Sequence, residues 1–226
     1  MAPILVVTPV RKELTALIDL LTTEGYEVRP QHSRVPGFSI PDLGMWCGAA
    51  GHGKAQFALV TQHLIDTHGP FSAIVAAGAA GALSPDLEPG DVIVGTEAVE
   101  HDYKPRFHGI APPPRHPASS ALVEALLDAQ PERTRFRIHT GPIAGGDEDI
   151  VDAGRARALA AETGALCVAW EGAGGARAAA FNELPFVEIR SVTDRADRAA
   201  AESYRMHLAE AIEHIGHVIL AWRLSR

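Results

Sequence analysis

Cysteine is scarce, with two residues, Cys47 and Cys167, among 226. Each sits in an apolar run without a paired Cys/His spacing, which excludes a disulfide framework and a zinc-finger-like site. Positive charge is also short. Lys and Arg total 20 against 28 Asp and Glu, a net charge of −8, so nucleic acid is not an expected partner. No apolar run approaches the roughly 20 residues that a membrane helix needs, so no membrane association is expected. The opening MAPILVVTPVRKEL has no basic residue ahead of its apolar run. It reads as a first strand rather than a signal peptide, and a cytoplasmic location is the expectation. Eleven histidines are present, yet no HExxH occurs. His52, His63 and His68 lie on or near one helix without a carboxylate at ligand spacing, so neither a metal nor a cofactor is expected. Repeats, low-complexity tracts and linkers are missing, which points to a single domain over 1–226.

What the chain does have is apolar content of 46%, enough for a sizeable core. Its order is organised around Leu166 to Asp194. A short apolar run, Leu166–Trp170, reads as a buried strand and ends on Glu171. A small-residue helix follows, Gly172 to about Phe181. Pro185 then opens a second run, Phe186–Val192, which leads to Asp194. Strand, helix, strand is the pattern of a parallel βαβ unit, whose sheet binds ligands beyond the carboxyl ends of its strands. Two carboxylates would stand at that edge. Each is equally readable as a helix cap or a solvated loop acid.

Elsewhere the same alternation recurs. Ile4–Thr8 reads as a buried strand. Arg11 to about Thr23 reads as an amphipathic helix, with Leu14, Leu17, Ile18 and Leu21 on one face. Glu13 in its first turn is either a dipole-favoured acid or a third carboxylate on the active edge. Tyr26–Pro30, Phe38–Ile40 and Met45–Cys47 are short strand candidates, and about His52 to Thr67 is a helix. Phe71–Ala77 is a strand that ends in Gly78-Ala79-Ala80-Gly81, a turn where a ligand can approach the backbone closely or where packing is tight. Val92–Val99 and Arg135–Thr140 are further strands. Ala118–Ala129, Val151–Glu162 and Ala199–Arg223 are further helices. Residues 103–117 form an irregular Pro-rich loop, and Gly145–Ile150 forms a Gly–acid loop. Gly48 to Lys54 has the GxxxxGK spacing of a P-loop. Ala55 stands where the magnesium-binding hydroxyl belongs, which argues against nucleoside triphosphate binding.

Taken together, ILVVTPVRKEL, GHGKAQFA, AAGAAGAL, PGDVIVGTEAVEHD, AGGDEDI, AWEGAGGARA and PFVEIRSVTDRAD resemble the nucleoside phosphorylase and nucleosidase superfamily. The resemblance is closest to its 5′-methylthioadenosine/S-adenosylhomocysteine nucleosidase branch and spans nearly the whole chain. It implies an α/β fold, a three-layer α/β/α domain around a twisted, partly barrel-like mixed sheet. It also implies a homodimer in which a partner loop, here 103–117, closes the 5′ side of the pocket. The substrate class it implies is a small purine nucleoside of adenine type. By resemblance, Asp194 is the general acid on purine N7 and Glu13 the general base on water at C1′. Glu171 binds the 2′- and 3′-hydroxyls with Trp170 beside it, and the Ile150 backbone meets the base edge. Gly78 and Ala79 line the ribose and water site, and Thr193 precedes the acid in the position of the family's Ser-Asp. The phosphorylase branch carries an Arg two residues before the Gly turn and a Ser or Thr within it. Here those positions are Ala76 and Ala79, which favours hydrolysis. Three positions depart from the branch: Ala79 for Ser, Asp149 for a base-stacking aromatic and Trp170 for Met. The EGxGxAxAA helix start is also similar to futalosine hydrolases. A phosphate-dependent phosphorylase and an inactive nucleoside-binding protein are the remaining alternatives.

Overall fold

The computed structural model describes residues 2–31, 34–107, 109, 111–129, 131 and 135–225. In chain order its elements are β1 (Ile4–Thr8), α1 (Arg11–Thr23), β2 (Arg29–Gln31), β3 (Gly37–Ile40), β4 (Met45–Ala49), α2 (Lys54–His68), β5 (Ala73–Ala82) and β6 (Val92–Glu100). They continue with β7 (Arg115–Pro117), α3 (Ser120–Asp128), β8 (Ile138–Gly145), α4 (Ala153–Thr163), β9 (Cys167–Ala169), α5 (Gly172–Phe181), β10 (Phe186–Asp194) and α6 (Ala200–Leu224).

All these strands join one mixed sheet in the order β10-β6-β8-β9-β5-β1-β4-β3-β2, with β7 on the side of β6. A further β10–β5 pairing closes five strands into a ring, β5-β10-β6-β8-β9. The open arm β1-β4-β3-β2 extends from β5. Strand β1 is buried at every residue, as expected for a strand covered on both faces. Its Ile4 and Val6 join a core with α1, α3 and α6, while Leu5 and Val7 join a second core with α2 and α5. Helices on both faces of a mixed sheet make the three-layer arrangement expected from the sequence. A third cluster contains Ala80, Ile93, Ile143, Cys167 and Val192, which come from all five ring strands.

Two expectations are corrected here. The first concerns Gly78–Gly81, which form no turn. Strand β5 runs on to Ala82 and pairs in parallel with β10, Gly78 opposite Arg190 and Gly81 opposite Asp194. Small residues serve this strand because large side chains from β10 lie across it. A Cβ on Gly78 would stand 2.8 Å from Arg190 Nη1, and one on Gly81 would stand 2.9 Å from Asp194 Oδ1. The second concerns β9-α5-β10, which is not a parallel unit. Strand β9 pairs antiparallel with β5 and parallel with β8, whereas β10 runs parallel to β5. Chain adjacency implied a shared edge, but closure of the ring places β5 between the two. Boundaries also shift. Strand β8 extends into the Gly–acid loop as far as Gly145, α2 starts at Lys54, and residues 115–117 pair with β6 as β7. Of the 103–117 loop, residues 108 and 110 lie outside the described residues.

Helix α5 reaches the sheet through glycine. A Cβ on Gly174 would lie 2.3 Å from the Lys54 carbonyl oxygen at the start of α2, and one on Gly175 would lie between Phe186 and Phe57. The Lys54 carbonyl is backbone and cannot rotate away. Gly174→Ala is therefore expected to destabilise the protein by about 1–3 kcal/mol, despite the helix propensity alanine gains. Urea denaturation of the two proteins measures the difference.

Candidate active site

The ends of β5 and β10, the first turns of α1 and α5, and the β8–α4 loop surround one cavity of about 580 Å³. Glu13, Ala79, Ile150, Trp170, Glu171, Thr193 and Asp194 all line it. These are seven of the eight residues expected from the sequence. Gly78, the eighth, lies just behind the wall, where an added Cβ would sit 3.0 Å from Glu13 Oε1.

Glu13 both caps its helix and lines the cavity. Its Oε2 accepts the Val10 N–H at 3.0 Å, which caps α1. Its Oε1 accepts the Ala79 N–H at 2.9 Å, which ties the helix start to β5 and turns the carboxylate toward the cavity. Burial pushes its pKa up from 4.5 to about 7, against the pull of those two N–H groups and of Arg190.

Asp194 ends β10 with both oxygens engaged. Oδ1 accepts the Ala196 N–H at 2.9 Å and Oδ2 accepts the Thr193 hydroxyl at 2.8 Å. Ala196 holds a left-handed φ of 51° to make that contact. Burial raises the pKa of Asp194 above its ordinary value, with those two hydrogen bonds acting the other way. The Thr193 hydroxyl thus serves the carboxylate beside it.

Glu171 closes β9 and precedes α5. Its Oε2 accepts Arg190 Nη2 at 3.1 Å, and its Oε1 lies 3.4 Å from the Gly53 N–H and 3.9 Å from His52 Nδ1. Trp170 lies beside it, with ring centroid 5.8 Å from that of His52.

Ile150 is carried by a braced loop. The Asp147 N–H donates to Asp102 Oδ2 at 2.9 Å, and Asp147 Oδ1 accepts the Lys54 N–H at 2.9 Å. Arg155 grips Glu148 through two bonds of 2.8 and 2.7 Å. The lysine of the P-loop-like stretch is also spent internally. Lys54 Nζ donates to Glu100 at 3.0 Å and pairs with Asp102, while Arg177 binds the other Glu100 oxygen at 2.6 Å. Glycines 48, 51 and 53 therefore lead into a helix pinned by ion pairs.

Arg190 and Glu188 were missed by the sequence reading. Arg190 lines the cavity yet is 1% exposed. Its Nε donates to Glu188 Oε1 at 2.7 Å, its Nη2 to Glu171, and its Nη1 to the Ala79 carbonyl at 3.2 Å. The signal was legible. Glu188 and Arg190 interrupt an otherwise apolar run two residues apart, which places both on one face of the strand. Tyr204 of α6, His52, Glu148 and Asp149 also line the cavity. Its described wall thus carries five carboxylates, from Glu13, Glu148, Asp149, Glu171 and Asp194, against one guanidinium. Among the described residues, no group of three or more His, Cys, Asp or Glu is arranged to hold a metal ion.

Residues 3–221 match the family described as the phosphorylase superfamily. The chain is similar to the 5′-methylthioadenosine/S-adenosylhomocysteine nucleosidase of Geobacillus kaustophilus, at 31% identity over 179 residues, 76% of each chain. Its fold is similar to that of the Neisseria meningitidis nucleosidase of the same name, solved with methylthio-immucillin-A. The TM-score is 0.84 at 24% identity, covering 99% of both chains. It is also similar in fold to the futalosine hydrolase of Helicobacter pylori, with a TM-score of 0.84 at 20% identity over 100% of this chain and 98% of that one.

A raised carboxyl pKa has a stability signature. Glu13 binds its proton more tightly when folded, so its contribution is fully present below about 4.5 and is lost as pH rises through about 7. The stability advantage of wild type over Glu13→Gln is therefore expected to shrink across that window, by on the order of 3 kcal/mol. Urea midpoints at a series of pH values measure it.

Proposed function

The chain belongs to the phosphorylase superfamily and, within it, to the 5′-methylthioadenosine/S-adenosylhomocysteine nucleosidases, and we propose that it hydrolyses the N-glycosidic bond of an adenine-type nucleoside such as 5′-methylthioadenosine or S-adenosylhomocysteine. One observation carries this reading. Glu13, Glu171 and Asp194, distant in sequence, face one cavity, and burial raises the pKa of both Glu13 and Asp194.

Cleavage of the bond between C1′ and the purine needs a proton on the departing base, a proton taken from water, and a sugar held between them. Asp194, kept protonated more readily by burial, donates to N7 of the base as the C–N electron pair leaves with it. Glu13, with a pKa of about 7, takes the proton of the water that bonds to C1′. The products are the free base and a sugar bearing a hydroxyl. Glu171 accepts hydrogen bonds from the 2′- and 3′-hydroxyls, and the Gly53 N–H and Arg190 orient it. Trp170 covers the sugar, and the Ile150 backbone meets the base edge. An oxocarbenium-like sugar is positive, and a wall of acidic side chains set against one guanidinium stabilises that charge where it develops. The same excess of negative charge disfavours a phosphate nucleophile.

We also propose a cytoplasmic homodimer. No helix among the described residues is long and apolar enough to cross a membrane. Helices α2 and α5 pack side by side and present Leu59 and Phe181 at 72% and 81% exposure, as a subunit contact would require.

Purified protein in phosphate-free buffer is expected to release adenine from 5′-methylthioadenosine. S-adenosylhomocysteine, 5′-deoxyadenosine and futalosine, tested alongside, define the 5′ preference. Free base from none of them would sink the reading. Asp194→Asn and Glu13→Gln are each expected to lower kcat by about 10²–10⁴-fold. Wild-type pH dependence of kcat/KM should be bell-shaped, with one limb near 7 from Glu13; Glu13→Gln should lose that limb. Light scattering on the eluting protein should give twice the 24.0 kDa chain mass.

A further inference from the structure

Glu188 takes no part in the cleavage just described, yet its position is costly. It is 2% exposed on a strand otherwise suited to apolar residues. Its Oε1 accepts Arg190 Nε at 2.7 Å, while its Oε2 is buried with no hydrogen-bond partner. The carboxyl group lies directly over Gly172, where a Cβ would come within 2.0 Å of Oε2. Only glycine admits it there, at the start of α5. A buried carboxylate oxygen left unpaired lowers stability, and a well-packed apolar side chain at such a site is often at least as stable. The feature therefore calls for an explanation other than folding.

Its electrostatic effect supplies one. Arg190 is the only guanidinium in the described cavity wall, and it stands beside Glu13. A Cβ on Gly78 would touch Arg190 Nη1 at 2.8 Å and Glu13 Oε1 at 3.0 Å. A phosphate taking the place of the nucleophilic water would sit at this spot and would need charge-assisted donors. Sequence alone suggested that such donors are missing, since Ala76 and Ala79 replace the phosphorylase residues. The structure places one there after all. With Glu171 as its sole acidic partner, the guanidinium would form a neutral pair. With Glu188 as well, the group is net negative before Glu13 is counted. Burial raises the pKa of Glu188, and the Arg190 guanidinium at 2.7 Å draws its carboxyl the other way, toward the charged form.

We propose that Glu188 selects the nucleophile: by adding a second carboxylate to Arg190, it denies phosphate the only guanidinium in the described cavity wall and leaves C1′ to water. This rests on the glycosidic-cleavage reading above and concerns the choice of acceptor within it.

The experiment is base release from 5′-methylthioadenosine during a titration with inorganic phosphate, at ionic strength held constant with chloride, with the sugar product identified. Wild type should be indifferent to phosphate within about twofold and yield only the free sugar. Glu188→Gln keeps the shape and the acceptor for Arg190 Nε but removes the charge. Glu188→Val suits the strand, whose neighbours are Val187 and Ile189, and guards against a variant that fails to fold. In either variant, phosphate should inhibit with an apparent constant at least about tenfold lower than in wild type, or be consumed to give a sugar 1-phosphate. A loss of stability alone would produce neither effect. Phosphate sensitivity in wild type overturns the proposal even if neither variant folds. Folded variants indistinguishable from wild type within twofold overturn it too. Absence of base release from wild type would instead count against the cleavage reading itself.

Discussion

A single buried guanidinium joins three parts of this fold. Arg190 lies on β10, accepts no solvent to speak of, and reaches the Glu171 carboxylate at the start of α5, the Glu188 carboxylate on its own strand and the Ala79 carbonyl on β5. In so dry a setting, removing any one member of this group would leave an uncompensated buried charge. The Ala79 peptide carries the connection onward. Its carbonyl accepts from Arg190 and its N–H donates to Glu13. The α1 start, β5, β10 and the α5 start are thereby fixed relative to one another through one peptide and one side chain.

That arrangement requires a narrow strand. Strand β5 carries AIVAAGAAGA, and its glycines stand where Arg190, Glu13 and Asp194 cross it. The glycines do not bend the chain. They remove volume from one strand so that side chains from its neighbour can lie flat against it and converge at its end. Ring closure between β5 and β10 brings the acids together. Asp194 pairs opposite Gly81, and β9 pairs with the same end of β5 at Val168, itself part of the cavity wall.

Much of this was legible in the sequence, because buried strands and amphipathic helices leave local patterns. Ile4–Thr8, Arg11–Thr23 and the long final helix fall where periodicity placed them. The seven motifs, read as a resemblance, pointed to the residues that share the cavity. What periodicity could not convey was strand order, since β9 and β10 are neighbours in the chain and separated by β5 in the sheet. A run of Gly and Ala carries no signal that distinguishes a turn from a strand thinned for its neighbours, so β5 was cut short. Glu188 and Arg190 were overlooked for a different reason. Their run is otherwise apolar, and a strand assigned from hydrophobicity gives no weight to two charged positions within it. A charged pair at period 2 in a buried run is a direct pointer to a site, because such residues are almost never fully buried unless paired.

The charge distribution links the fold to the chemistry. A cavity with five acidic side chains and one guanidinium would be a poor place to hold an anion and a good place to form a cation. Burial adds a second effect. It raises the pKa of Glu13 to about 7, so that this carboxyl group can carry or release a proton near neutrality, and it pushes Asp194 upward. Those shifts come from the packing that the narrow strand permits. The same dry environment strengthens the field of Arg190, which left to itself would invite an anion to the water site. A second carboxylate on that guanidinium therefore follows as the complement of a buried acid–base pair, and its cost in stability at Glu188 is set against control over which nucleophile the site admits.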